Sequence, residues 1–576
     1  MRKEDSLKGS QTQLRASGAP NQSNEALNFW LCGGLLALLF ASILARDINR
    51  PFYGLHSWAD AAAAWRAKAY LKYDLKYTKG LAVWAVGDPP SENPNRSLDH
   101  PQLGLFLPAL DMIVFGINER SMRIGGIIRA VICLLLFLRI LRGLLDDKTA
   151  LLAGLLFVIF PITGFFGTLA WLMPVHLLYL LALWCYLVIL GSIKNGPEAK
   201  ALHRWGLGLS LFFILQLRWE GLFYAMAIGV HYVFRCIRRK QFPEKTLLAI
   251  LIVAPLSSLI LNFVVMAAGH GWDLQKLWSL FKWRAAKGEM TNVMPKFDWG
   301  MWFARFWEYA LTNFTLPVLI MAIVYLTFGQ LLAFTADATK GTSATVARRF
   351  PQFWLFLMPA IFQLFILRGA LWPHQYWEFP LAPFLAIATA LAIMLLADFL
   401  GKVNRWAAGA GVVLLVGIIF ISCMMGLDHY YNIRWQSPVM LKMLKDLNRK
   451  IPPDKALLSF EHFIVNQHSV KGPHYRPEYA WYLDREIVPA KVVEGGRINV
   501  AETVKNIRQK ARTGRYPYYL IPLLNESVPI INQLVKQYKF ERIQGHPGEV
   551  TKDNKFFKRG MATYIIFDLN SSVEGS

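Results

Sequence analysis

The chain has 576 residues, of which 55% are hydrophobic and 17% charged, with 20 tryptophans. That balance excludes a soluble globular protein, because apolar runs long enough to cross roughly 30 Å of hydrocarbon recur from Phe29 to Gly426. The formal net charge is +24, yet the basic residues gather in short loops between apolar runs (Arg235 to Lys240, Lys340 to Arg349, Lys402 to Arg405) and accompany no nucleic-acid-binding module. Nucleic acid is thereby excluded as a partner, and membrane lipids are favoured.

In chain order, residues 1–25 are polar and lack apolar periodicity, which predicts a disordered cytoplasmic tail. The first span, Phe29 to Ala45, starts late and lacks a small-residue cleavage pattern, so it is expected to stay in place rather than act as a signal peptide. Residues 46–121 follow as a large first outer loop of nearly balanced charge. Within it Gly104 to Gly116 is apolar but short and holds Asp111, which suits a helix lying along the interface. Further spans are expected at 123–142, 149–167, 174–192, 205–218, 221–235, 246–268, 311–333, 351–368, 379–399 and 406–426, about eleven transmembrane helices with the first. An N-terminus inside and an odd count put everything after residue 427 outside. The basic loops at 194–204, 235–245, 337–349 and 401–405 then all fall on the cytoplasmic side.

Residues 428–576 change character. Polar helical patterns (Pro438 to Lys450, Ala501 to Arg512, Val528 to Gln537) alternate with short β-rich runs (Leu457 to Phe460, Tyr518 to Ile521, Tyr564 to Phe567), as in a small extracytoplasmic α/β domain. The expected architecture is therefore an α-helical polytopic membrane domain, residues 26–427, followed by that domain. All five cysteines lie within or beside apolar runs, so neither a disulfide framework nor a cysteine-based zinc cluster is expected.

Asp60 heads an alanine-rich helical stretch, Trp58-Ala-Asp60-Ala-Ala-Ala-Ala-Trp65-Arg66, just beyond the first span, and Asp99 follows in Leu98-Asp99-His100-Pro101. A carboxylate so placed suits general-base work on an acceptor hydroxyl; the plain alternative is a pair of solvated loop acids. Arg218 and Glu220 interrupt an apolar stretch, where ionisable groups are costly and line polar cavities or pair with one another. Both readings stand at this point, a contact to a lipid phosphate or an ion pair at a helix break. A second polar turn runs Arg368-Gly-Ala-Leu-Trp-Pro-His374-Gln-Tyr376-Trp377-Glu378. Here Arg368 and His374 suit a phosphate, and His374 or Glu378 a metal. His176, in the outer turn Leu169-Ala-Trp171-Leu-Met173-Pro174-Val-His176, suits a helix-capping or lipid-facing role and a substrate contact equally. The Trp-rich segment from Trp272 to Trp307 reads as an interfacial amphipathic element. A P-loop, a GxGxxG and an HExxH are all lacking, which excludes a nucleotide-driven pump of the usual kind.

These motifs resemble those of the large-loop GT-C membrane glycosyltransferases, including protein O-mannosyltransferases and lipid A aminoarabinose transferases. The resemblance covers most of the first 400 residues at the level of layout and short motifs. It rests on Asp60 after the first span, on Asp99-His100-Pro101-Gln102-Leu103, and on Phe115-Gly116-Ile-Asn-Glu119-Arg120-Ser-Met-Arg123 leading into the second span. Arg218-Trp-Glu220-Gly221, His374-Gln-Tyr376-Trp377-Glu378-Phe-Pro380 and Pro-Glu478-Tyr-Ala-Trp-Tyr482-Leu-Asp484-Arg485 extend it. One departure is Met173 before Pro174, where several relatives carry Asp.

The resemblance implies transfer of a monosaccharide from a polyprenyl-phosphate donor to a hydroxyl of a lipid, glycan or protein acceptor, at the outer face of the plasma membrane. Asp60 and Asp99 would be catalytic. His100, Arg218, Glu220, Arg368, His374 and Tyr376 would bind substrate or the donor phosphate. Asp99 and His374 are the candidates for a divalent metal ion, which is not required by the motifs themselves. A transporter or flippase without chemistry explains the spans and the intramembrane arginine but not the long outer loop or the C-terminal segment.

Overall fold

The computed structural model describes residues 19–90, 92, 94–98, 100–193, 196–271, 275–285, 297–329, 341–433, 438–460, 477–494, 497–523, 525–543 and 564–572. It is mostly helical. The first helix, α1 (Ala19–Ala45), starts inside the stretch expected as a tail, which is a correction for residues 19–25; residues 1–18 lie outside the described residues. Its N-terminal end holds Pro20, a residue tolerated in a first turn, where its missing N–H has no intrahelical partner to lose.

Helix α2 (Ser57–Lys72) carries Asp60 in its first turn. Its alanine run has the highest intrinsic helix preference and presents small side chains on every side, so neighbours approach it closely and Ala61, Ala63, Ala64 and Ala67 have no exposed surface. Next come α3 (Leu103–Phe115), α4 (Glu119–Leu144), α5 (Asp147–Ile159) and the short α6 (Pro161–Phe166). Leu110, Ile113 and Val114 of α3 are exposed, while Asp111 turns inward onto Arg129 of α4 through two bonds of 2.9 and 2.7 Å.

Helices α7 (Leu172–Ile189), α8 (Ala201–Leu217), α9 (Gly221–Arg239) and α10 (Lys245–His270) pack side by side. Beyond them α11 (Trp299–Phe314) and α12 (Leu316–Val324) meet at a 103° bend. Thr315 sits at that bend with φ 69°, an unusual backbone state for a residue with a Cβ. Then follow α13 (Gly341–Ile366), α14 (Ala382–Gly401) and α15 (Arg405–Asn432).

Helices thus occur at each expected span, but not all as single crossings. Among the described residues six are long and apolar enough to cross a membrane, seven if the bent pair counts as one span. The expected span 149–167 is split at Pro161, 311–333 is bent at Thr315, and 205–218 is a shorter helix. The chain is a multi-pass membrane protein.

After α15, residues 457–572 build a five-stranded mixed sheet: β1 (Leu457–Ser459), β2 (Ile487–Pro489), β3 (Tyr518–Pro522), β4 (Tyr538–Ile543) and β5 (Tyr564–Ser572), in the order β2-β1-β3-β5-β4. β1 runs parallel to β2 and β3, and β5 antiparallel to β3 and β4. Alternate residues face opposite sides of a strand. Leu457, Leu520, Tyr564 and Ile566 join the large core that includes the membrane helices, whereas Leu458, Tyr519, Ile521, Ile565 and Phe567 form a separate apolar cluster with Val504, Ile507, Ile530 and Leu534.

A helix at Pro477–Leu483 ties this region to α2. Ser57 Oγ donates to Glu478 Oε1 (3.0 Å), the Phe52 amide donates to the Tyr482 hydroxyl (2.9 Å), and Lys68 and Lys72 both reach Asp484 (2.8 and 3.1 Å).

One close approach fixes where the Arg218 turn sits. A Cβ on Gly104, at the start of α3, would lie 2.4 Å from the Leu217 carbonyl oxygen at the end of α8. Gly104→Val is expected to force these helices apart, lowering stability by about 1–3 kcal/mol, the usual range for overpacking. Thermal unfolding in detergent beside wild type checks this, and an unchanged midpoint would contradict it.

Candidate active site

Asp60 opens on a cleft of about 530 Å³, counting the space open to solvent at its mouth. Asp47, Arg50, Ser57, Arg123, Phe166 and Tyr431 are among the residues that line it. The Asp60 carboxylate makes no hydrogen bond to any described residue, so its lone pairs are available to a proton from outside. Packed protein around it raises its pKa to about 6, while the Arg123 guanidinium acts in the opposite direction. Its place in the first turn of α2 also favours the ionised form through the helix dipole.

Arg123 is held in position by the chain that leaves α1. Its Nη1 donates to the carbonyls of Asp47 and Ile48 (both 3.1 Å) and of Arg50, and its guanidinium lies 5.6 Å from the centre of the Phe52 ring. Arg50 bonds Asp47 (2.9 Å) and the Ile433 carbonyl (3.2 Å). A fixed positive wall therefore stands beside Asp60.

A second cavity, about 330 Å³, is lined by Trp171, His176, Arg218, Glu220, Tyr224 and Tyr376, among others. Arg218 follows α8 and Glu220 precedes α9, so the two side chains meet across a single turn. They form a two-pronged ion pair, Nε to Oε2 at 3.1 Å and Nη2 to Oε1 at 2.7 Å. Both side chains are less than a tenth exposed, and Arg218 also lies 5.2 Å from the centre of the Trp171 ring. The helix break and the cavity wall are the same feature, so the two readings of these residues are compatible. His176 Nδ1 donates to the Leu172 carbonyl (3.0 Å), which leaves Nε2 to accept from the Tyr224 hydroxyl (3.0 Å).

The segment 165–176 borders both cavities, Phe166, Thr168 and Leu169 on the Asp60 side and Trp171, Val175 and His176 on the Arg218 side. An aromatic partition stands between them. His56, buried and with φ 53°, packs on Phe166 (5.7 Å between ring centres), Tyr376 (5.1 Å) and His374 (6.2 Å). His374 stacks on Tyr376 at 5.1 Å and lies 5.5 Å from Trp58. Burial lowers the His56 pKa to about 3, so its imidazole is neutral.

The structure thus brings Asp60, Arg218, Glu220 and Tyr376 around two adjoining cavities, and His374 lines neither but packs behind Tyr376 in the partition. Arg368 lines neither of them: its guanidinium stacks over Phe297 (4.6 Å) and Trp299 (5.1 Å), and its carbonyl accepts from Trp302 Nε1. His100 also lines neither, and its carbonyl accepts from Gln102 Nε2 (2.8 Å). Asp99 lies outside the described residues. Glu378 turns away from the partition, fully buried, and accepts from Asn313 Nδ2 (3.0 Å). Arg123, His56 and Tyr224 are site residues that sequence reasoning did not single out. Arg123 closed a family-like pattern, but nothing local in the sequence shows that it faces Asp60.

No family model matches the chain, and no curated protein matches it in sequence. Solved structures do match. ArnT from Cupriavidus metallidurans bound to undecaprenyl phosphate has a TM-score of 0.55 at 10% identity, over 93% of this chain and 97% of that one. The archaeal oligosaccharyltransferase AglB from Archaeoglobus fulgidus, in complex with an inhibitory peptide and a dolichol-phosphate, has a TM-score of 0.52 at 12% identity, over 90% of this chain and 73% of that one. This chain has the GT-C fold.

An Archaeoglobus fulgidus oligosaccharyltransferase of the same fold was solved with Zn and sulfate (TM-score 0.52, 12% identity, 85% and 68% coverage). In this GT-C chain no group of three or more His, Cys, Asp or Glu residues disposed to hold a metal occurs among the described residues. His374 is packed among aromatic rings and Glu378 is bonded to Asn313. The described residues do not fit a metal centre.

Proposed function

We propose that this chain is a glycosyltransferase that moves a monosaccharide from a polyprenyl-phosphate donor to a hydroxyl of a lipid, glycan or protein acceptor, at the outer face of the plasma membrane. The observation that carries the proposal is Asp60, a carboxylate without a hydrogen bond to any described residue, opening on a cleft that adjoins the Arg218–Glu220 cavity within a GT-C fold. Undecaprenyl phosphate and dolichol-phosphate are bound by the fold neighbours, and their shared chemistry supplies the donor class.

In this mechanism the acceptor enters the Asp60 cleft and the donor headgroup lies beside the partition, toward Arg218. Asp60 removes the acceptor O–H proton as the oxygen attacks the anomeric carbon. The bond from that carbon to the phosphate oxygen breaks, and polyprenyl phosphate leaves with the electron pair. Arg123 supplies fixed positive charge toward the departing phosphate, and Arg218, whose charge is balanced by Glu220, offers the Nη1 donor that the ion pair does not use. The aromatic rings of His56, Tyr376 and Trp171 exclude water and offer apolar faces to the sugar. Orientation places the N-terminus in the cytoplasm and the C-terminal sheet outside, following the basic loops.

Purified protein incubated with a panel of labelled polyprenyl-phosphate monosaccharides and native-membrane extract tests the proposal. Label transferred from one donor to an extractable acceptor is the expected result. Folded protein that transfers label from none of them would refute it.

A further inference from the structure

Arg139 sits on α4, about 24 Å along the helix from Arg123 at a rise of 1.5 Å per residue, and therefore toward the end of the bundle away from the Asp60 cleft. Ile128, Ile132, Leu135 and Arg139 follow one another at helical spacing, and Ile128 and Ile132 are both 47% exposed. In a multi-pass protein such a stripe faces hydrocarbon. Five residues of α4 remain after Arg139, about 7.5 Å, so its guanidinium lies near the depth of lipid headgroups.

The guanidinium stacks on Trp184 of α7 at 4.5 Å and makes no hydrogen bond or ion pair with any described residue. The one charge among the described residues that acts on it is Arg142, a second cation, which is itself bonded to Asp147 (3.1 Å) and lies over the Phe29 ring. A cation held at membrane depth without a counter-charge is costly, and such residues recruit an anion or line a polar path. Arg139 lines neither of the two cavities described above, which favours the anion. Stacking on indole fixes the guanidinium plane and leaves its edge free for a two-pronged contact with phosphate oxygens.

We propose that Arg139 and Trp184 form a binding site for the phosphate of an anionic phospholipid headgroup. The site is separate from the transferase cleft, and it holds whether or not the proposed transfer reaction is correct.

The test uses the full chain in nanodiscs of phosphatidylcholine, with and without one third phosphatidylglycerol, read by thermal unfolding. Wild type is expected to gain several degrees with the anionic lipid, and Arg139→Leu to lose most of that gain. Arg139→Leu should be at least as stable as wild type in phosphatidylcholine alone, where each headgroup phosphate is already balanced by its own choline cation and leaves the arginine charge uncompensated. If Arg139→Leu does not fold, Trp184→Leu carries the same test. Millimolar inorganic phosphate added to phosphatidylcholine discs separates the two sources of phosphate. An undiminished lipid gain in the variant, or an equal gain from inorganic phosphate, would overturn the proposal.

Discussion

Asp60→Asn is expected to lower sugar transfer by about 10²–10⁴-fold, the usual contribution of a positioned general base, while leaving the protein folded. Asparagine keeps the shape of the side chain but cannot take the acceptor proton. The surroundings of Asp60 also predict the stability of the variant. Its folded pKa of about 6 lies above the ordinary 3.8, so the folded protein holds this proton more tightly than the unfolded chain does. The stabilising contribution of this group is therefore complete at low pH and is lost as pH rises through about 6. A neutral asparagine suffers no such loss, and Asp60→Asn should unfold at the same temperature as wild type or higher at pH 8. Loss of transfer with retained or raised stability separates a chemical role from a structural one.

The same environment sets the pH dependence of the wild type. Only the ionised carboxylate accepts a proton, so transfer should fall about tenfold per unit below pH 6 and level off above it. Replacing Arg123 with Met removes the charge that favours ionisation and should move that limb upward. An acid limb that stays in place in Arg123→Met would show that Arg123 does not act on Asp60.

Arg218→Met is expected to cost about 3–5 kcal/mol of stability, the usual range for breaking a buried ion pair from one side, because it removes the guanidinium that meets the buried Glu220 carboxylate with two bonds. The double variant Arg218→Met with Glu220→Leu removes both charges and should recover most of that loss, since apolar pairs commonly replace buried ion pairs without penalty. Activity should not recover with it. If Arg218 faces the donor, the double variant should raise the KM for the donor at least about tenfold, as expected for loss of one charge-assisted contact. A double variant with wild-type KM would confine the pair to holding the break between α8 and α9. Thermal unfolding and donor saturation curves on the same preparations read both outcomes.

The sequence made parts of this legible for reasons that can be traced to single residues. Apolar runs locate helices because membrane-buried backbone has few alternatives, and the structure carries a helix at each. Whether a run crosses in one piece depends on Pro161 and Thr315, where the chain breaks, and composition does not weigh such breaks. Asp60 stood out because an acid at the head of an alanine-rich helix has no core to serve. Arg218 and Glu220 stood out because charge is rare in apolar surroundings. Arg368 satisfied the same criterion yet stacks on Phe297 and Trp299, which shows that a cation in a polar turn has more than one stable partner. The partition formed by His56, Phe166, Tyr376 and His374 was not legible, because it joins residues up to 320 positions apart. The Ser57–Glu478 bond, spanning 421 positions, was hidden for the same reason. Period and composition report what a residue prefers nearby; they do not report which distant element will face it.

The measurement that tests the central claim most directly follows both products of one reaction by mass spectrometry, with wild type beside Asp60→Asn. With the donor selected from the panel and its acceptor extract, wild type should release free polyprenyl phosphate in step with glycosylated acceptor, and Asp60→Asn should form neither above background. Donor that stays intact with wild type, or equal product from Asp60→Asn, would contradict the account.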